Sequence, residues 1–242
     1  MKKISIFLII MGIAFTMSAA YLTGDQILKK TDDVLFLKTS KSDVTMKVYS
    51  ATGSFRTIKM VSYSRGYDLS YNLYTYPRDL NGMKYLSRFD NIWVYYPLTN
   101  SVRKMPDHLK NRPISGVGGD FSANDMSSTN WSKKYRAELK SETNELYIIE
   151  ATGISKGTYK KVVLYIDKKT FIPVKDEFYN DEGRKFKTLY YREIKHFSGK
   201  PVPTFLEMVS HDRGAKTTVQ LENVKVNLPI SDNYFSVDNL GR

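Results

Sequence analysis

The chain has 242 residues, no cysteine, and 37 Lys and Arg against 25 Asp and Glu, for a formal net charge of +12 at pH 7. The lack of cysteine excludes disulfide frameworks and a lipid-modified N-terminal cysteine. The positive excess points to anionic lipid or acidic protein partners, or to solubility alone, and nucleic acid is not expected because the chain reads as exported.

In chain order, the first twenty residues carry a secretory signal. Lys2-Lys3 form the charged start, residues 4–15 an apolar run, and Ser18-Ala19-Ala20 a small-residue cleavage site before Tyr21. The run is too short for a convincing span, although an uncleaved anchor is the alternative reading. Cleavage leaves residues 21–242 as one soluble domain, with a charge of about +10 once Lys2 and Lys3 are gone. Localisation in the periplasm is expected.

Thr23-Gly24-Asp25-Gln26 has the Thr-x-x-Gln spacing of a capping box ahead of Ile27, Leu28, Val34 and Leu35, which predicts an amphipathic helix from about Asp25 to Leu35. From Lys41 the texture becomes alternating. Val44, Met46 and Val48 interleave with Thr45, Lys47 and Tyr49, and similar runs follow at 55–64 and 67–76. Segments 83–89 and 92–96 are aromatic strands with Asp90-Asn91 as a tight turn between them, and 101–106 is a third strand that carries Arg103 and Lys104. A Gly-rich loop, Gly116-Val117-Gly118-Gly119-Asp120-Phe121, then leads to Ser122, whose Ser-x-x-Asp spacing to Asp125 predicts a short helix. The loop reads as a flap hinged at Gly116, Gly118 and Gly119. Further strands are expected at 135–140, 146–151, 159–167, 172–179, 185–197, 203–211 and 216–226, and the tail, with Pro229-Ile230, Tyr234-Phe235 and Leu240, reads as a closing segment pinned to the sheet.

So many strands cannot lie flat in one sheet without curling. The expected fold is mainly β: an incomplete, half-closed antiparallel β-barrel of about 11 strands with short helices covering its open side.

The search for chemistry is largely negative. His108, His196 and His211 are scattered and form no HExxH or similar cluster, so no metal site is expected. Asp176-Glu177 and Asp181-Glu182 are adjacent acids that point to opposite faces of a strand, which argues against a shared acid/base site and leaves solvated turn charges as the expectation. Gly153-Ile154-Ser155-Lys156-Gly157 fits G-x-S-x-G, but it lies between two apparent antiparallel strands with no helix after it. No catalytic residue and no cofactor are expected, and a secreted hydrolase using Ser155 is the disfavoured rival. The aromatic and Met residues remain. They are either core or the lining of an apolar pocket on the hollow side of a curved sheet.

An ordered set of short motifs resembles the LolA-like outer-membrane lipoprotein-sorting proteins. It comprises Met83-Lys84-Tyr85-Leu86, Asn91-Ile92-Trp93-Val94-Tyr95-Tyr96-Pro97, Val102-Arg103-Lys104, Gly119-Asp120-Phe121-Ser122, Tyr165-Ile166-Asp167, Phe171-Ile172-Pro173-Val174-Lys175, Glu177-Phe178-Tyr179, Gly183, Lys187-Thr188-Leu189, Met208 and the tail. The resemblance covers nearly all of 21–242. It implies an incomplete barrel with helices over its mouth and a hydrophobic cavity for acyl chains. It further implies cargo that is an acylated lipoprotein or lipid, taken from an inner-membrane exporter and passed to an outer-membrane acceptor. Some members are associated with RND-type exporters, and an accessory protein that docks on such an exporter without carrying lipid is the alternative. Expected cavity residues are Met60, Leu73, Leu86, Trp93, Tyr95, Phe121, Met126, Leu164, Phe178 and Met208, with Arg103 and Lys104 as headgroup or partner contacts. Strand parity does not say which face is concave.

Overall fold

The computed structural model describes residues 21–114, 116–127, 130–156 and 158–242. The expected signal peptide at 1–20 lies outside the described residues. The first element, α1 (Gly24–Leu35), starts as its sequence requires: the Thr23 side chain accepts from the Gln26 N–H, and the Gln26 side chain accepts from the Thr23 N–H. Ile27 and Leu28 are wholly buried on its inner face.

Six strands follow in meander: β1 (Thr39–Tyr49), β2 (Phe55–Arg65), β3 (Leu69–Tyr76), β4 (Lys84–Arg88), β5 (Asn91–Tyr96) and β6 (Ser101–Lys104). After a long connection and one helical turn, α2 (Trp131–Lys134), seven more run β7 (Tyr135–Glu142), β8 (Leu146–Gly153), β9 (Lys161–Asp167), β10 (Pro173–Tyr179), β11 (Lys185–Phe197), β12 (Lys200–Ser210) and β13 (Ala215–Val226). All belong to one antiparallel sheet in the order β6-β5-β4-β3-β2-β1-β13-β12-β11-β10-β9-β8-β7. The described strands number 13 rather than the expected eleven or so. The thirteen alternating segments read from the sequence each form a strand, so the figure of about eleven undercounted them; even the four-residue β6 keeps a full ladder on β5 from Trp93↔Lys104 to Tyr96↔Ser101.

The meander starts in the middle of the sheet, at β1, walks out to the β6 edge, crosses to the β7 edge and walks back until β13 pairs with β1. The sheet curls around the connection between the two edges. That single segment touches β4 through Tyr85, β11 through Lys187 and β13 through Thr217. Lys134, beside β7, also reaches Asp90 in the β4–β5 turn at 3.6 Å.

Two local expectations shift. The β4–β5 loop is Phe89-Asp90, one residue earlier than expected, because Arg88 pairs with Asn91 and Phe89 takes φ +53°. The Ser122/Asp125 pair does exchange cap-like bonds, at 2.7 and 3.2 Å, yet only turns follow. The Asp125 carboxylate is also bound by Lys187 and Tyr159, which holds the segment to the sheet instead of letting it wind. The helix forms later, at α2, where the Asn130 side chain caps the Lys133 N–H.

Two apolar clusters lie on opposite faces. The larger is concave and includes Met46, Ile58, Met60, Tyr74, Tyr85, Val94, Leu164, Phe178 and Met208, with Phe121 from the connection. The smaller covers the outer face of β3–β5, where Ile230, Phe235 and Leu240 of the tail pack on Tyr71 and Leu86. Tyr234 stacks on Tyr63 with ring centroids 4.3 Å apart, and Arg65 bonds both Asp232 and the Ile230 carbonyl.

The start of α1 is fastened to edge strand β7. Asp25 accepts from the Ala137 N–H at 2.8 Å, and a Cβ on Gly24 would sit 2.4 Å from the Ala137 carbonyl oxygen. Because the obstacle is backbone, Gly24→Ala is expected to cost about 1–3 kcal/mol, read as a lower urea midpoint with unchanged slope.

Candidate functional site

The concave side contains a cavity of about 350 Å³ under α1, α2 and the connection. Leu35, Leu37, Phe121, Trp131, Phe178, Leu189, Val202, Leu206 and Leu221 give it an apolar wall. Its polar lining is uneven: Lys110, Lys134, Lys156 and Asp90 stand at one side, and Asp32, Asp125, Tyr159 and Tyr191 reach it from others.

Most of these polar groups are committed to holding the covering elements in place. The Asp32 carboxylate accepts from the N–H groups of Trp131 and Ser132 at 3.0 and 2.8 Å, which seats α2 on α1. Burial raises the Asp32 carboxyl above its usual range against the pull of those donors. Lys187 on β11 donates to Asp125 at 2.5 Å and to the Tyr159 hydroxyl at 2.7 Å, and Ser122 completes the group at 2.8 Å from that hydroxyl. The side chains of Lys187 and Asp125 are only 4% and 6% exposed. Burial lowers the Lys187 ammonium below its usual range, and Asp125 opposes that shift. The Lys187 ammonium also lies 4.8 Å from the centre of the Phe178 ring.

The rest of the connection is fastened as well. Asp120 accepts from Thr217 at 2.8 Å and from Arg213, whose guanidinium also reaches the Gly119 carbonyl. Tyr85 donates to the Ala123 carbonyl at 2.6 Å, and Arg56 to the Gly116 carbonyl at 3.2 Å. Gly116, Gly118 and Gly119 all have positive φ. They differ in surroundings: a Cβ at Gly118 meets nothing within 4 Å, whereas one at Gly119 would lie 2.9 Å from Thr217 Oγ1. Gly119 is therefore an anchor point.

One expectation is overturned by burial. Asp176 and Glu177 are not solvated turn charges, being 0% and 6% exposed within β10. They do point to opposite faces. Glu177 faces Lys175 and Lys185 at 2.8 and 3.2 Å; burial would raise its carboxyl, but those lysines hold it below its usual range. Asp176 faces inward, accepts from the Tyr191 hydroxyl at 2.5 Å, and has one oxygen without a partner. Burial pushes its carboxyl up to about 7, against the Tyr191 bond and with help from Asp125. Sequence reasoning missed Asp176, Lys187 and Tyr159; for Asp176 and Lys187 the signal was a charge at a concave position of an alternating strand, and Tyr159 lies in the loop before β9.

Of the ten expected cavity residues, Phe121 and Phe178 line the cavity. Met60, Leu164 and Met208 lie in the same concave core, with Met126 packed against it. Leu73, Leu86, Trp93 and Tyr95 belong to the opposite cluster under the tail, so they do not face the cavity. Arg103 and Lys104 are exposed on β6, over the rings of Tyr96 and Trp93 at 5.8 and 5.7 Å. Ser155 sits in a strand–loop–strand context between β8 and β9, not the strand–turn–helix of a hydrolase elbow. Among the described residues, no group of three or more His, Asp and Glu is placed to hold a metal.

A family model described only as that of an uncharacterized protein matches residues 66–242. Solved structures align over most of the chain. A DUF1329 family protein from Desulfovibrio piger has a TM-score of 0.82 and 24% identity, over 90% of this chain and 97% of its own. A LolA superfamily protein from Nitrosomonas europaea has a TM-score of 0.77 and 25% identity, over 90% and 99%. The chain belongs to the family of that model and shares the fold of the LolA superfamily protein. A putative outer membrane lipoprotein-sorting protein domain from Vibrio parahaemolyticus also matches the chain, with a TM-score of 0.78 and 24% identity over 90% and 98%. No curated protein matches it.

The latch and the inward carboxyl give separable tests. Asp125→Ala strands the Lys187 ammonium in the interior and is expected to cost about 3–5 kcal/mol in urea unfolding, while Asp125→Leu with Lys187→Met recovers most of it. For Asp176 the folded carboxyl keeps its proton up to about pH 7 and the unfolded one loses it near its ordinary 3.8. The native state thus binds more protons between those values, and stability falls as pH rises through that window. Asp176→Asn is expected to flatten this fall, which is on the order of 4 kcal/mol at 1.36 kcal/mol per unit. Parallel profiles for the wild type and the Asp176→Asn variant would contradict the buried-acid account.

Proposed function

We propose that the protein is a non-enzymatic periplasmic carrier that shields an acyl chain of a lipid or lipoprotein and moves it from the inner towards the outer membrane. The cavity carries this reading: an apolar wall on the hollow side of a curled sheet, closed by elements that polar contacts fasten down. In this reading the sheet acts as a half-closed barrel, with α1, α2 and the connection over its open side. The lipoprotein-sorting name of the Vibrio relative supports it. An inner-membrane exporter and an outer-membrane acceptor are the partners it requires.

The physical need is plain. Each methylene moved from water to an apolar site gains about 0.8 kcal/mol, so a long chain does not cross an aqueous compartment bare. Loading requires the connection to lift, with rotation at Gly116 and Gly118, and loss of the Lys187–Asp125 contact. Phe121 would move with it and open the cavity.

Native mass spectrometry of protein purified gently from periplasm is expected to show bound lipid or acylated peptide near one-to-one. Leu206→Trp fills the cavity and should weaken uptake of a fluorescent acyl probe at least tenfold with the melting temperature within about 2 °C. A clean unliganded mass together with no probe uptake by the wild type would favour the exporter-docking alternative.

A further inference from the structure

The lysines at the cavity mouth come from three separate parts of the chain. Lys110 follows the turn after β6, Lys134 ends α2, and Lys156 lies in the β8–β9 loop. Their convergence is geometric. Lys110 donates to the Asp90 carbonyl, and Lys134 lies 3.6 Å from the Asp90 carboxylate, so both meet at one residue. The β8–β9 loop is tied to the same place, because the Ile154 N–H donates to the Lys134 carbonyl at 2.9 Å. Lys110 also pairs with Asp107 at 2.5 Å. The hydrogen bond and charge of Lys110, then the charges of Lys156 and Lys104, hold the Asp107 carboxyl below its usual range. Three lysines at the mouth thus share two aspartates, and Lys104 acts on Asp107 only through its charge, from the other face of β6. The other carboxylates of the lining are spent elsewhere, Asp32 on backbone N–H groups and Asp125 on Lys187.

Lys110 is unusual among the three in being only 5% exposed. A lysine is seldom buried to that degree unless it is paired. Here two oxygens pair it and the cavity lies beside it. Behind the lysines the wall turns apolar within one residue's reach, through Trp131 and Phe121. A site with positive charge at the mouth and a greasy interior recognises an amphiphile with an anionic head. It is less suited to a neutral one, which would leave the excess charge of the rim unmatched. At about 350 Å³ the cavity is near the lower end of small-ligand pockets, ~300–1,000 Å³, which favours one chain over several.

We propose that the cargo bound in this closed state is a single-chain amphiphile with a phosphate or carboxylate head, held at the mouth by Lys110, Lys134 and Lys156. The inference rests on the carrier reading and narrows it: the headgroup contact is made by these three lysines, and Arg103 and Lys104 on β6 are outside the cavity lining.

The test uses the mature chain and two probes of equal length, a lysophosphatidic acid and a monoacylglycerol, titrated at low and high salt with inorganic phosphate as a third ligand. The expected result is at least tenfold tighter binding of the anionic probe at low salt, with the gap shrinking as salt rises. Lys134→Gln with Lys156→Gln should remove most of that gap by weakening the anionic probe, with an unchanged urea midpoint as the control for the fold; Lys156 is exposed and Lys134 half-buried, whereas Lys110 is buried. Equal affinity for the two acyl probes would overturn the inference while leaving the carrier reading intact. Binding of inorganic phosphate as tight as that of the anionic probe would also overturn it, by assigning the rim to a free anion. If neither acyl probe binds, the carrier reading falls and takes this inference with it.

Discussion

Two opposite charges, Lys187 and Asp125, meet where almost no water reaches, and the arrangement of the concave side depends on keeping them together. Removing either charge from water costs several kcal/mol, and attraction in the interior repays that only when the remaining hydrogen-bond sites are filled. The Tyr159 hydroxyl, which meets both charges, and the Ser122 N–H, which donates to Asp125, fill them. Such a pair contributes little net stability compared with an apolar replacement. What it does is fix the position of the connection, and therefore of Phe121, over β10 and β11. The cavity exists because that connection is held across the hollow of the sheet rather than collapsed into it.

The same logic separates the two sides of β10. Glu177, turned outward, is surrounded by lysines and carries its charge easily. Asp176, one residue earlier and turned inward, has one tyrosine bond and a nearby Asp125, so burial wins and its proton is held to near neutral pH. One residue of strand, with its alternation of faces, is enough to place two carboxyls in opposite electrostatic settings.

Much of the backbone was legible from the residues. The Thr23–Gln26 box starts α1 where expected, and each alternating run became a strand, because capping and period-two patterning are local. The strand face was not legible in β3 to β5. Both of their sides are buried, one under the connection and one under the tail, so Leu86 and Tyr85 are equally apolar and parity has no polar side to mark. Leu73, Leu86, Trp93 and Tyr95 were misplaced for that reason. The latch was invisible for a different one: Lys187 and Asp125 are 62 residues apart, and a lone charge in a strand reads as solvated until its partner is seen.

The strand order also fixes how the sheet can be completed in time. Within β1–β6 and within β7–β13 every pairing joins strands that are neighbours in the chain, so each half can assemble by successive hairpins. The β1–β13 ladder is the exception, joining the first strand to the last. Until β13 has emerged, β1 presents an open edge with Val44 and Met46 uncovered, the kind of surface that templates aggregation. A chain delivered N-terminus first therefore spends its longest exposure at the strand that ends up in the middle of the sheet. A truncation that removes β13 leaves that edge open permanently.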